Sequence, residues 1–115
     1  MSLTDQQLES YREDGHVTVP NVFSPAQIKA ASDELNDWIA DFSKQLAPQD
    51  ERYYFEQSEP NARALRKLDN PVFHRPLFRD MAHDKKLLTL IRDLIGSKLR
   101  VVFSQVFLKP SEVGG

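Results

Sequence analysis

The groups that usually carry protein chemistry are sparse in this chain. Its histidines are His16, His74 and His83, and the positions two residues after them hold Thr18, Pro76 and Lys85. None therefore starts a His-x-carboxylate pair, and no two stand at the spacing that puts two imidazoles on one helix face. There is no cysteine, so disulfides, thiolate metal sites and a cysteine nucleophile are excluded. Gly15, Gly96, Gly114 and Gly115 are too scattered to cradle a phosphate, and no serine sits on a nucleophile elbow. The carboxylates are spread over helix faces, as on a solvated surface. On composition alone the chain shows neither a metal site nor a catalytic residue.

What stands out is polar chemistry set inside apolar strands. Arg66 and Lys67 interrupt ALRKLDNPVF. Strand alternation puts Lys67 with Leu65 on one face, and Arg66 with Ala64 and Leu68 on the other. If both faces are covered, one cation points inward and needs an anion, because a buried unpaired ammonium is costly. That anion is either Asp69 or the carboxylate of a bound acid. In LRVVFSQVFLKPSEVGG, Gln105 lies between Phe103 and Phe107 on one face, with Lys109 at the end. Val102, Ser104, Val106 and Leu108 form the other face. This reads either as a core strand with a hydrogen-bonded amide or as the wall of a pocket for a polar, anionic ligand.

The elements that position these residues follow from local signals. Thr4 and Gln7 form a capping box for a helix that ends at Gly15. His16–Val19 alternates as a short strand before Pro20. Ser24-Pro25-Ala26-Gln27 starts a second helix, whose stripe of Ile28, Ala31, Leu35, Trp38, Phe42 and Leu46 at spacings of three and four reads as core, ended by Pro48. Arg52–Phe55 reads as a strand, Ser58–Asn61 as a turn and Ala64–Asp69 as a short strand. Pro76–Met81 is a short helix. Asp84 caps a helix with Leu87, Leu88, Ile91, Leu94 and Ile95 facing inward, closed by Gly96. The terminal strand follows, with both faces expected to be covered.

At 115 residues there is room for one domain or part of one, of soluble-globular composition. A net charge of −2 gives no basic footprint for nucleic acid, and no apolar run could span a membrane. The polar N-terminus is not a targeting peptide, and the lack of cysteine fits a cytoplasmic location. No internal repeat is present.

Three stretches together resemble the N-terminal third of the phytanoyl-CoA dioxygenase family, a branch of the iron(II)/2-oxoglutarate oxygenases. They are LTDQQLESYREDGHVTVPNVFSPAQIKAASDEL, RKLDNPVFHRPLFRDMAHDKKLLTLIRDLIG and FSQVFLKPSEVGG. Leu46–Asn61 matches least. The resemblance implies an α+β fold in which N-terminal helices wrap the first strands of a double-stranded β-helix, a jelly-roll-like barrel, with residues 1–115 as one part of a single domain. It implies iron(II) held by a His-x-Asp…His triad, which would lie beyond Gly115, and 2-oxoglutarate as co-substrate. Lys67 and Gln105 map onto positions that contact the co-substrate. The complete enzyme would hydroxylate a small organic molecule; halogenation occurs in relatives that lack the carboxylate ligand. The 115-residue chain itself, without iron ligands, is expected to be inactive and to self-associate through its terminal strand edge. The alternative is a non-catalytic helix–strand module that binds a partner through that edge.

Overall fold

The computed structural model of the chain describes residues 2–45, 55–59 and 62–109. Helix α1 spans Asp5–Asp14 and α2 spans Pro25–Gln45. Both begin with reciprocal caps. The Gln7 amide donates to Thr4 Oγ1 (3.1 Å) and the Thr4 amide to Gln7 Oε1 (2.9 Å). Ser24 and Gln27 repeat the arrangement at 3.1 and 2.8 Å. Gly15 ends α1 at φ 78°, in the left-handed region where a Cβ is strained, and its amide donates to the Tyr11 carbonyl. The alternating His16–Val19 segment forms no strand. Alternation supplies only a face; a strand also needs a partner backbone, and none of the described strands lies beside it.

Strands β1 (Phe55–Glu59) and β2 (Ala62–Leu65) pair antiparallel. The expected Arg52–Phe55 strand lies outside the described residues except for Phe55, and the Pro60-Asn61 half of the expected turn and the Leu46–Pro48 end of the second helix also lie outside them. Strand β3 (Lys67–Asp69) pairs antiparallel with β4 (Gln105–Phe107) in a separate two-stranded sheet. Arg66 belongs to neither strand. Arg66 is exposed while Leu65, Lys67 and Leu68 are all buried.

Between β3 and β4 the chain makes α3 (Pro71–His74), α4 (Pro76–Ala82) and α5 (Lys85–Ile95). Asp84 caps α5 through the Leu87 amide (3.1 Å). Helix α1 packs on α5, and α2 on α4. The Leu3 amide donates to Asp93 Oδ2 (3.3 Å), which ties the N-terminal segment to α5.

The core is Trp38, Leu65 and Leu68, surrounded by Leu35, Ile39, Phe42, Phe78, Val106 and Leu108. It joins the middle of α2 to β3 and β4. The α2 stripe is only partly covered, since Ile28 is exposed while Trp38 is buried. The terminal strand is likewise shorter and barer than expected. It is regular only where β3 lies opposite, and Val102 (84%), Phe103 (60%) and Phe107 (66%) face solvent.

Candidate anion-binding site

The site begins with backbone register. Lys67 pairs with Phe107, Leu68 with Val106 and Asp69 with Gln105. The Leu108 amide donates to the Arg66 carbonyl (2.9 Å), and the Asn70 amide donates to the Ser104 carbonyl (2.8 Å). These bonds fall on even positions of β3's register, so the Lys67–Phe107 and Asp69–Gln105 pairs are the non-hydrogen-bonded ones. In such pairs the side chains approach most closely. Lys67, Asp69, Gln105 and Phe107 share one face, while Leu68 and Val106 hold the other against Trp38.

Side-chain geometry follows from that placement. Asp69 Oδ2 lies 3.7 Å from Lys67 Nζ, and Asp69 Oδ1 accepts from Gln105 Nε2 at 2.5 Å. One carboxylate thus engages an ammonium and an amide from two strands. Lys67 is 7% exposed, whereas the Asp69 side chain is 27% exposed. Of the two cations in ALRKLD, Lys67 is the one that points inward, as strand burial requires. Sequence reasoning placed Lys67 and Gln105 separately; their meeting on one carboxylate depends on the β3–β4 register, which local pattern does not encode. The available signal was the i, i+2 spacing of Lys67 and Asp69, which puts them on one strand face.

The end of the site is fixed by groups that sequence reasoning did not select. Asn70 adopts the left-handed conformation (φ 57°), which asparagine tolerates, and turns the chain into α3. It makes no side-chain cap. Instead the Val72 amide donates to Ser104 Oγ (3.4 Å), so the residue just before β4 caps the helix from across the fold. Arg75, between α3 and α4, pairs with Glu34 (2.5 Å) and Asp41 (3.7 Å) of α2 and docks that helix beside the site.

The three histidines are exposed and do not converge. His83 Nδ1 lies 2.7 Å from the Arg79 carbonyl, and the His74 ring lies 6.1 Å from that of Trp38. Among the described residues, no group of three or more His, Asp and Glu side chains is placed to hold a metal ion. Among them too, no helix is long and apolar enough to cross a membrane. Away from Lys67, Asp69 and Gln105, a concavity of about 710 Å³ lies between α3, α4, α5 and the segment leading to β4, lined by Phe73, Leu88, Ile91, Ile95 and Val101 with Arg79, Arg92 and Arg100.

The chain is similar to ectoine dioxygenase of Streptomyces anulatus, at 28% identity over 105 residues, which is 90% of this chain and 33% of that protein. The chain therefore spans about one third of the length of the curated relative it matches. It is a distant homologue of a dioxygenase. No family model and no solved structure matches it.

Proposed function

We propose that the chain is the N-terminal part of an iron(II)/2-oxoglutarate-dependent dioxygenase of the phytanoyl-CoA dioxygenase family, in which Lys67 and Gln105 help to hold 2-oxoglutarate. The observation that carries this reading is the similarity to a dioxygenase along 90% of the chain but only 33% of the relative. The uncovered Val102 and Phe103 before β4, and Phe107 at its end, agree with it. In this reading, further strands continue the β3–β4 ladder into a double-stranded β-helix, in which Phe103 and Phe107 line the face of Gln105 and Val102 the opposite one.

The two ligands of the proposed reaction fare differently against the residues present. Iron does not fit: the described residues contain no suitable ligand group, so no step is assigned to a metal held by them. A carboxylate ligand does fit. Lys67 Nζ and Gln105 Nε2 already meet around a carboxylate, that of Asp69. An ammonium in a nearly dry setting next to an amide donor is suited to a carboxylate, since charge-assisted hydrogen bonds strengthen as water is excluded. When bound, 2-oxoglutarate supplies two electrons for oxygen reduction and leaves as succinate and carbon dioxide, while the C–H bond hydroxylated supplies the other two.

The role of this chain's own residues is to bind and orient. Lys67 offers charge, and Gln105 offers a directional N–H from the facing strand. Leu68, fully buried on the opposite face, keeps the pair from rotating away. Phe107, opposite Lys67 in register, supplies an apolar wall. The organic substrate is a small molecule, the class to which the relative's ectoine belongs.

The test is succinate release by the complete polypeptide, with iron(II) and 2-oxoglutarate added. Release that requires both is expected, with none from the 115-residue chain alone. A complete polypeptide that consumes no 2-oxoglutarate would favour the partner-binding module, for which the exposed β4 edge would be the contact surface.

A further inference from the structure

Resting on the co-substrate reading above, we propose that Asp69 is a resident counter-anion, which the incoming carboxylate of 2-oxoglutarate displaces from Lys67 and Gln105. Both Asp69 oxygens are engaged: Oδ1 by Gln105 Nε2 at 2.5 Å and Oδ2 by Lys67 Nζ at 3.7 Å. The donors proposed to hold the co-substrate are thus already turned toward an anion of the same chemistry.

The partners differ in their access to water. Lys67 is 7% exposed and lies on a strand whose neighbour Leu68 is fully buried, so its backbone is fixed. The Asp69 side chain is 27% exposed and occupies the last position of β3, just before the left-handed turn at Asn70. Moving the lysine away would strand a charge in a dry region, whereas moving the aspartate carries a carboxylate into water. Asp69 is therefore the member that yields.

The charges lead to the same conclusion. Asp69 sets a negative charge 3.7 Å from the Lys67 ammonium, so an approaching dianion meets like charge at close range until Asp69 turns out. Asp69 then does two things: it contributes to compensating the buried ammonium while the site is empty, and it weakens co-substrate binding by competing for the same donors. A purely structural aspartate would do the first without the second. This distinction fixes the sign of the test.

Asp69→Asn keeps the shape and an oxygen that can accept from Gln105, but removes the competing charge. The experiment measures 2-oxoglutarate affinity of the complete polypeptide by calorimetry, with iron(II) under anaerobic conditions, beside the thermal midpoint of the ligand-free protein. We expect Asp69→Asn to melt lower without ligand, yet to bind 2-oxoglutarate about fivefold or more tightly, the effect of one unit charge about 4 Å away even at the dielectric of water. Unchanged or weaker binding by folded Asp69→Asn would overturn the proposal. Lys67→Met separates this failure from failure of the co-substrate reading. If wild type does not bind 2-oxoglutarate, or Lys67→Met binds it as wild type does, that reading falls and the counter-anion role falls with it. Should Asp69→Asn not fold, the carboxyl carbon resonance of Asp69 in wild type, assigned with Asp69→Glu, serves instead. Its movement on ligand addition supports displacement, and an unmoved resonance overturns it.

Discussion

Leu68→Ala tests whether the β3–β4 pair is held as described. Leu68 is the largest fully buried side chain among the described residues, and it packs with Trp38 and Leu65. Truncation to a methyl removes the equivalent of three methylene-sized groups, about 2.4 kcal/mol at about 0.8 kcal/mol each. A cavity term adds to this when the surroundings cannot close in. Collapse is limited here because the backbone on either side is pinned by the Leu108–Arg66 and Asn70–Ser104 hydrogen bonds. The sum is about 3–4 kcal/mol, inside the range of about 2–5 kcal/mol for buried leucine truncations. Amide hydrogen exchange reads this locally, without requiring a single cooperative transition. The Leu108 and Asn70 amides should exchange about a hundredfold faster or more, at about 1.4 kcal/mol per factor of ten, or reach the unprotected rate. Val102→Ala is the control: Val102 is 84% exposed, so those amides should change by less than about threefold, corresponding to roughly 0.5 kcal/mol for a surface site. Similar exchange rates in both variants would mean that Leu68 does not anchor the ladder.

Two further outcomes follow from the fold. Ser24→Ala removes the acceptor of the Gln27 amide and the reciprocal cap, and should lower α2 stability by about 1 kcal/mol, measured as lost helical circular dichroism on heating. The isolated chain should self-associate in sedimentation velocity through its bare β4 side, and Phe107→Lys should shift it toward monomer; a wild-type chain that stays monomeric at all concentrations would remove that edge as an interface.

The helices were legible because their signals are local. Thr4-x-x-Gln7, Ser24-Pro25-x-Gln27 and Asp84 cap with groups within three residues, and the structure satisfies each cap. The one-turn helix Pro71–His74 was not legible, because its capping hydroxyl comes from Ser104, thirty-two positions away. The strands failed for the same reason. His16–Val19 alternates but has no described strand beside it, and Val101–Ser104 is strand-like in composition but regular pairing starts only at Gln105. At the site, the inward-pointing lysine could be read from burial cost alone. Gln105 reaching the same carboxylate could not, because it depends on a register between segments 36 residues apart.

The central claim is that Lys67 holds a ligand carboxylate in the complete protein, and the most direct measurement compares 2-oxoglutarate affinity in wild type and Lys67→Met. Methionine fills a 7% exposed position without charge, so folding should survive. Loss of a buried charge partner costs about 2–5 kcal/mol, so Kd should rise at least about thirtyfold. A Kd within about twofold of wild type, roughly 0.4 kcal/mol, would contradict the account and leave Lys67 as the structural partner of Asp69.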